Sequence, residues 1–354
     1  MMLILRADAS ASMGVGHVMR CLALAQAWQD EGGEVLFAMA EGTKIMSGRL
    51  FGEGFEVATL DAKPGSAEDI RETLKLVERY RASWVVLDGY RFGTDYQHSI
   101  KGLFARVLAF DDCGQADHYC VDLVLNQNAH AHEDFYRSRE PWTRLLLGLD
   151  YVQLRREFCH FEARSRSCSD TGRHLLLTFG GGDPDNVTGL ILGALQELDS
   201  FEIEVAALIG ATNPHRPKLE ELARKSPFSV RVRSGVEDMT ALYRWADLAI
   251  TGGGSTLWEL AYLGVPALTL ILAENQEPSS RRLDEFGCIK CLGYPHQLNA
   301  VQLAAEVAQL CGDVDLRRHM SAIGQGLVDG KGASRVVRQM LADAKGGRDS
   351  CAMS

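Results

Sequence analysis

A chain of 354 residues exceeds the size of one typical core, so two domains are expected. The composition, 46% hydrophobic and 24% charged, is that of a globular protein, and no stretch reaches the roughly 18 uninterrupted apolar residues that a membrane helix needs. The formal net charge of −10 argues against nucleic acid as a partner, but a small anion can still be held by backbone N–H groups.

The N-terminus and the cysteines indicate a cytoplasmic protein. The first residues, Met-Met-Leu-Ile-Leu-Arg, are not a basic leader before a long apolar segment, so no secretory signal is expected. Nine scattered cysteines, an odd number, favour reduced thiols over a disulfide framework. Cys288 and Cys291 form a lone Cys-x-x-Cys pair without a second pair or a histidine cluster, so we interpret them as plain thiols and expect no metal site and no cofactor.

Short β-rich runs alternate with helical patterns through the first half of the chain. The predicted strands are Leu3–Arg6, Val35–Ala38, Val57–Leu60, Trp84–Leu87, Val107–Phe110 and Leu123–Leu125. The helix after the first strand has an apolar face formed by Val18, Cys21, Leu22, Ala25 and Trp28. A second helix is predicted over Asp69–Arg81. This alternation predicts a parallel, doubly wound sheet.

The polar segment Gln153–Arg173 is interpreted as a connection between domains, because the alternation restarts after it. The predicted strands there are His174–Phe179, Glu204–Ile209, Ser229–Val232, Leu248–Thr251 and Ala267–Leu272. Helices are predicted to begin near Val187, Glu237, Thr256 and Leu298. We therefore expect a first domain over 1–152, a second over 174–345 and a disordered tail over 346–354.

Both halves begin with a strand that runs into a glycine turn and then a helix. The sequence thus predicts an α/β protein with two doubly wound, Rossmann-like domains that face a cleft. Ligands of open α/β sheets bind at the carboxyl ends of the strands, so candidate residues should lie there.

The first glycine turn leads into a candidate general base. Gly14 and Gly16 allow the backbone to approach a ligand closely, and His17 follows in the first turn of the helix. The positive end of the helix dipole disfavours imidazolium, and a neutral imidazole is what a base near pH 7 requires. The residues alone leave open that His17 merely caps a tight turn.

Two glycine turns in the second half are candidate phosphate-binding sites. The first contains Gly180 and Gly181, with Asn186 opening the next helix. Backbone amides of such a turn can approach phosphate oxygens, although a purely structural turn remains open.

The second turn, Gly252–Gly254, is the stronger signal because it leads into two hydroxyl residues at a helix start. Glu259 lies four residues after Ser255, where a carboxylate can accept the ribose hydroxyls. Asn275 and Gln276 follow the next strand and could meet a base, ribose or phosphate, or form a solvated loop.

Polar residues also end strands of the first half. Asp111 and Asp112 follow a buried strand, where they could bind a metal, hydrogen-bond a sugar or simply cap a turn. A G-x-S-x-G elbow and a P-loop are both missing from the sequence, which argues against a serine hydrolase of that type and against ATP hydrolysis.

Motifs over nearly the whole chain carry a resemblance to a known family. In order they are Arg6-Ala-Asp-Ala-Ser10, Gly14-Val-Gly-His17, Asp88-Gly-Tyr90, Asp111-Asp112, Asn126-Gln127, Thr178-Phe-Gly-Gly-Gly-Asp-Pro184, Gly252-Gly-Gly-Ser-Thr256 and Asn275-Gln276. With these motifs the chain resembles the hydrolases of pseudaminic acid biosynthesis, which act on UDP-2,4-diacetamido-2,4,6-trideoxy-β-L-altropyranose. One departure is Gly182, where serine is more usual.

The resemblance implies a GT-B-like fold related to the lipid II-forming N-acetylglucosaminyltransferase, with the sugar bound by the first domain and UDP by the second. It implies His17 as the base. Expected sugar-binding residues are Arg6, Asp8, Gly16, Tyr90, Asp111, Asp112 and Asn126. Expected UDP-binding residues are Gly180, Gly181, Asn186, Gly254, Ser255, Thr256, Glu259, Asn275 and Gln276.

The resulting hypothesis is a metal-independent, inverting hydrolase in which water held by His17 attacks the anomeric carbon and UDP departs. Its partner would be a small-molecule UDP-sugar, with no nucleic acid and no membrane, and the sequence is compatible with a monomer. Two alternatives remain: a GT-B glycosyltransferase that uses the same base on an acceptor hydroxyl, and a nucleotide-sugar sensor without turnover.

Overall fold

The computed structural model describes residues 1–10, 14–102, 105–159, 168–198, 202–211, 213–236 and 239–349, with backbone alone for 343–349. The strands in these ranges are β1 (Met2–Ala7), β2 (Glu34–Met39), β3 (Glu56–Thr59), β4 (Trp84–Asp88), β5 (Arg106–Phe110), β6 (Leu123–Asn126), β7 (Arg144–Leu147), β8 (His174–Thr178), β9 (Glu204–Ile209), β10 (Ser229–Ser234), β11 (Leu248–Gly252), β12 (Ala267–Leu270) and β13 (Ile289–Cys291).

The α-helices of the described ranges are α1 (Gly16–Asp30), α2 (Thr43–Gly52), α3 (Ala67–Tyr80), α4 (Thr94–Lys101), α5 (Arg156–Cys159), α6 (Val187–Ala194), α7 (Arg216–Lys225), α8 (Met239–Trp245), α9 (Thr256–Leu263), α10 (Glu277–Phe286), α11 (Ala300–Gly312), α12 (Val314–Leu327) and α13 (Gly332–Asp349). No helix of these ranges has the length and apolar character needed to cross a bilayer.

The chain forms two compact α/β units. The first contains residues Met1–Cys159 together with the segment from Gly330 onward, and the second contains His160–Asp329. The first unit has a parallel sheet in the order β3-β2-β1-β4-β5-β6-β7, and the second has a parallel sheet in the order β10-β9-β8-β11-β12-β13. The predicted α/β class with two doubly wound sheets is confirmed.

The strand order of each sheet reverses at one point. In the first unit the chain winds outward in one direction from β1 and in the other from β4, which are hydrogen-bonded neighbours. In the second unit the same reversal lies between β8 and β11. Such a reversal leaves a crevice at the carboxyl ends of the two strands, where open α/β sheets bind ligands.

Hydrophobic burial follows the pattern that the sequence predicts. Side chains of β1 and β4 are buried on both faces of the sheet, as expected for a central parallel strand covered by helices. The predicted face of α1, including Val18, Leu22 and Trp28, packs into the core of the first unit. The described cysteines carry free thiols, as predicted, and burial raises the pKa of Cys288 to about 12.

The C-terminal segment differs from its predicted place. Residues 330–345 were expected in the second domain, but α13 packs against α1 and buries Val336, Val337 and Met340 in the core of the first unit. The expected disorder over 346–354 is wrong for residues 346–349, which belong to α13; residues 350–354 lie outside the described ranges.

Other differences are local. The break between units at 159/160 falls inside the predicted connection 153–173, and Phe158 on its first-unit side is fully buried. The edge strands β7 and β13, of four and three residues, were not predicted. Glu237, the predicted start of a helix, lies outside the described residues, and α8 is described from Met239.

Candidate active site

His17 lies at the reversal point of the first sheet. It follows β1 at the start of α1, and the residue is 8% exposed. Asp88, the last residue of the adjacent strand β4, places an oxygen 2.6 Å from Nδ1 of His17. An ionised carboxylate can only accept, so in the neutral imidazole Nδ1 carries the hydrogen and Nε2 the lone pair. Asp88 therefore orients His17 as a proton acceptor through Nε2.

The Asp88 carboxylate remains ionised although it is 1% exposed. Burial alone would raise the pKa of Asp88, but the charge of Arg20 and the hydrogen bonds from Arg20 and His17 hold it well below its usual range. Arg20 donates from two nitrogens to both carboxylate oxygens, at 2.7 Å and 2.6 Å. The thiol of Cys21 also lies 3.4 Å from this carboxylate.

Arg20 links Asp88 to a second carboxylate. Its remaining nitrogen donates to Asp112 at 2.8 Å, and the side-chain amide of Asn128 donates to the same oxygen of Asp112 at 2.8 Å. Burial would raise the pKa of Asp112, but the charge of Arg20 outweighs it and the pKa is lowered. Asp112, which the sequence predicts as a sugar ligand, therefore forms an ion pair with Arg20.

Tyr90 covers one side of His17. Its ring meets the imidazole edge to face, with 5.2 Å between ring centroids, and its hydroxyl lies 3.4 Å from Asp112. Burial and the nearby carboxylate raise the pKa of Tyr90, so its hydroxyl stays protonated and can donate to a ligand. A cavity of about 360 Å³ opens beside it, lined among others by Asp8, Glu41 and Asp88.

Arg6 and Asp8 form a buried ion-pair network rather than a free polar surface. Arg6 is fully buried, donates to both oxygens of Asp69 at 2.8 Å and 2.9 Å, and pairs with Asp8 at 2.8 Å. The other oxygen of Asp8 accepts N–H groups that follow β2, at Ala40 and Glu41. These contacts give Arg6 a supporting role, while Asp8 still lines the cavity.

Asp111 and Asn126 are also occupied by the protein itself. Asp111 accepts from three backbone N–H groups and from the hydroxyls of Tyr119 and Tyr136. Asn126 is fully buried and bonds to Tyr136 and Asn128. These contacts favour the turn-capping alternative for Asp111 and give Asn126 a supporting role. Gly16 forms the start of α1, and a Cβ there would meet no atom within 4 Å.

The backbone of the turn after β8 packs closely against a neighbouring segment of the second unit. Gly180 has φ +83°, a conformation that glycine adopts without strain. The carbonyl oxygen of Gly181 packs so tightly on Gly210 that a Cβ at Gly210 would lie 1.9 Å from it. Asp183 accepts the first two N–H groups of α6, and Asn186 is the residue preceding that helix.

The turn after β11 is held by a glutamine. The N–H of Gly253 donates to Gln276 at 3.1 Å, and the same oxygen accepts the N–H of Leu272 at 3.0 Å. Gln276 thus ties this turn to the one after β12. A Cβ on Gly253 would lie 2.4 Å from the hydroxyl of Ser280, so the position has room for glycine alone.

The start of α9 carries the remaining nucleotide candidates. Ser255 is its N-cap and makes no side-chain capping bond, and Thr256 is its first residue. Glu259 is half-buried and accepts the hydroxyl of Tyr243 at 2.8 Å. Asn275 is exposed in the turn after β12. Because β8 and β11 are neighbours, the two predicted glycine turns lie at the same sheet edge; their role in UDP binding stays a prediction.

Sequence reasoning missed two residues of the first-unit site. Asp88 was noticed as part of a motif but given no role, and Arg20 was not singled out. The partners are separated by 71 residues for His17–Asp88 and by 68 for Arg20–Asp88. A usable signal existed: Arg20 is three residues after His17, on the same helix face, and Asp88 ends a buried strand.

Comparisons with known proteins agree with this architecture. Residues 178–282 match the Glycosyltransferase family 28 C-terminal domain. MurG of Acinetobacter baumannii has the same fold, with a TM-score of 0.67 and 16% identity over 96% of this chain and 99% of that one. The fold is therefore of the GT-B type, as the resemblance implied.

Two relatives extend the comparison to sequence. An uncharacterized protein of Methanocaldococcus jannaschii is 27% identical over 76% of this chain, but the match spans just over half of that protein, 55% of its length. The UDP-2,4-diacetamido-2,4,6-trideoxy-β-L-altropyranose hydrolase of Campylobacter jejuni is 26% identical over 81% of this chain and 97% of its own length.

Proposed function

We propose that the protein hydrolyses a UDP-sugar at its anomeric C–O bond, with His17 as general base. The observation that supports this most is the 2.6 Å contact of Asp88 with Nδ1 of His17 at the reversal point of the sheet. It leaves Nε2 as the acceptor for a proton of water, and such a base contributes about 10²–10⁴-fold to a rate.

The reaction balances without a further reactant. The water oxygen bonds to the anomeric carbon, its proton passes to Nε2 of His17, and the C–O bond to UDP breaks with its electron pair retained by UDP. Attack opposite the leaving group inverts the anomeric centre. UDP is assigned to the glycine turns of the second unit, where N–H groups near Gly181 and Ser255 would stabilise its negative charge.

The 2,4-diacetamido-2,4,6-trideoxy-altrose UDP-sugar is the substrate we propose. The Campylobacter jejuni hydrolase, which aligns over nearly its whole length, supports this choice. Tyr90, Asp8 and Asp112 remain the proposed contacts for the sugar, because Tyr90 and Asp8 line the cavity and Asp112 bonds to Tyr90.

A glycosyltransferase is the second candidate, because the matched domain of residues 178–282 is a glycosyltransferase domain. The same base would then act on an acceptor hydroxyl. The deciding experiment incubates the purified protein with the UDP-sugar in ¹⁸O-labelled water without an acceptor. Label in the free sugar, with none in UDP, supports hydrolysis. Saturable binding without UDP release contradicts it, and UDP release on adding an acceptor would then identify a transferase.

A further inference from the structure

Arg20 occupies a position between the base and two carboxylates. One of its nitrogens lies 3.2 Å from Nδ1 of His17, and the guanidinium contacts both oxygens of Asp88 and one of Asp112. It also stacks over the ring of Phe110, with 4.8 Å to the centroid. These contacts fix the cation within reach of the imidazole.

We propose that Arg20 is a positioning residue that keeps His17 unprotonated by neutralising Asp88, and that Asp112 moderates this effect. The inference rests on the base role proposed above for His17. A carboxylate 2.6 Å from an imidazole nitrogen favours the imidazolium form, which cannot accept a proton. The guanidinium opposes that tendency by pairing with the carboxylate and by repelling a second positive charge.

The polar groups that the described residues place around His17 have charges that are fixed near neutral pH. They are Asp88 at the end of β4, Tyr90 in the loop after β4 and Arg20 on α1, with Asp112 after β5 and Cys21 on α1 in contact with these groups. The pKa of Arg20 is raised: burial lowers it, but the charges of Asp112 and Asp88 outweigh burial.

Two substitutions should act in opposite directions. Arg20→Gln removes a positive charge, so the imidazolium form of His17 becomes easier to form. Asp112→Asn removes a negative charge from the far side of Arg20, so the imidazolium form becomes harder to form. We expect the titration midpoint of His17 to move up by about one pH unit in the first variant and down by a smaller amount in the second.

The test measures this midpoint directly, by NMR of the His17 imidazole in the intact protein without substrate. The exposed Asp61→Asn serves as the matched control and should leave the midpoint unchanged. Opposite shifts support the proposal; unchanged midpoints, or shifts in the same direction, overturn it. Since the side chain of Arg20 is only 10% exposed, thermal unfolding is measured for each variant. If Arg20→Gln does not fold, the near-isosteric Asp112→Asn decides the sign of the effect.

Activity then separates this proposal from the proposed function. If the protein releases UDP, the acid limb of kcat/KM against pH should shift with the NMR midpoint in each variant. If the NMR shifts appear but no UDP-sugar is turned over, the role of Arg20 stands and the proposed reaction fails. If the protein releases UDP but the titration midpoint of His17 does not move in the variants, the proposed reaction stands and the proposed role of Arg20 is overturned.

Discussion

The two units wind their sheets in the same way, but different groups lie at the point where the strand order reverses. In the first unit the crevice between β1 and β4 holds polar side chains with little exposure: His17, Arg20 and Asp88. In the second unit the crevice between β8 and β11 is bordered by glycine turns, where a Cβ at Gly253 would collide with its surroundings. One topology therefore places titratable side chains at this point in one unit and closely packed glycine backbone in the other.

From this contrast we expect the first unit to serve proton transfer and the second unit to serve anion binding. Side chains that are oriented by buried partners can exchange protons, whereas backbone N–H groups hold an anion without a titrating group. Substitutions in the first unit should then affect turnover more than binding, and substitutions in the second unit should affect binding more than turnover.

The largest expected effect comes from His17→Ala. Removing the proposed base should reduce kcat about 10²–10⁴-fold and leave the Kd for UDP within about twofold. Steady-state kinetics and calorimetric titration with UDP measure the two quantities. His98→Ala, an exposed histidine on α4 of the same unit, is the matched control and should match the wild type in both. Normal turnover in His17→Ala would remove the proposed mechanism.

As the pH is lowered, the first unit should lose stability at a higher pH than the second. Arg6 and Arg20 hold the pKa values of Asp69, Asp88 and Asp112 below the usual range despite burial. Groups with a lowered folded pKa stabilise the fold above about pH 4, the unfolded value, and lose that contribution as pH falls through the folded value.

In the described part of the second unit, the carboxyls with a clearly lowered pKa are Glu221 and Glu277, which pair with exposed arginine or lysine four residues along a helix. Such exposed pairs contribute little to the free energy of unfolding. Hydrogen exchange corrected for intrinsic rates should show protection in β1 and β4 falling between about pH 4 and pH 2, by a few kcal/mol, ahead of β8 and β11. Parallel loss in both units would contradict this.

The smallest effect is expected from Gly253→Ala. Its Cβ would lie 2.4 Å from the hydroxyl of Ser280 and 2.9 Å from Cβ of Gln276, so the turn after β11 must shift. We expect UDP to bind about tenfold more weakly, roughly 1.4 kcal/mol, with kcat at saturation nearly unchanged. Gly193→Ala on α6, where a Cβ meets nothing within 4 Å, should keep the UDP affinity. Equal affinities in both variants would exclude a nucleotide role for this turn.

Local patterns predicted the parts of the fold that depend on local physics. The apolar strands and the helix starts at Val187 and Thr256 agree with the structure, because a glycine turn followed by a helix is encoded within a few residues. His17 was singled out as a candidate for the same reason, and its role stays a prediction. The pairing of Asp88 with Arg20 was not predicted, since it depends on β4 lying next to β1, which sequence spacing does not specify.

Burial explains the other mismatches. Arg6, Asp111 and Asn126 were predicted as sugar ligands from their places at strand ends, yet each is at most 1% exposed and bonded to the protein. A polar residue at a strand end can face either the ligand or the supporting turn, and the residue type is the same in both cases. The amphipathic pattern of α13 likewise does not say which sheet it covers.

The return of α13 to the first unit has a consequence for how the protein is made. Synthesis proceeds from the N-terminus, so strands β1 to β7 leave the ribosome long before Val336, Val337 and Met340, which complete their core. The second unit is continuous in sequence, so its strands and helices are all synthesised before α13. A nascent chain stopped near residue 330 would therefore contain a complete second unit and a first unit in which α13 does not yet cover α1.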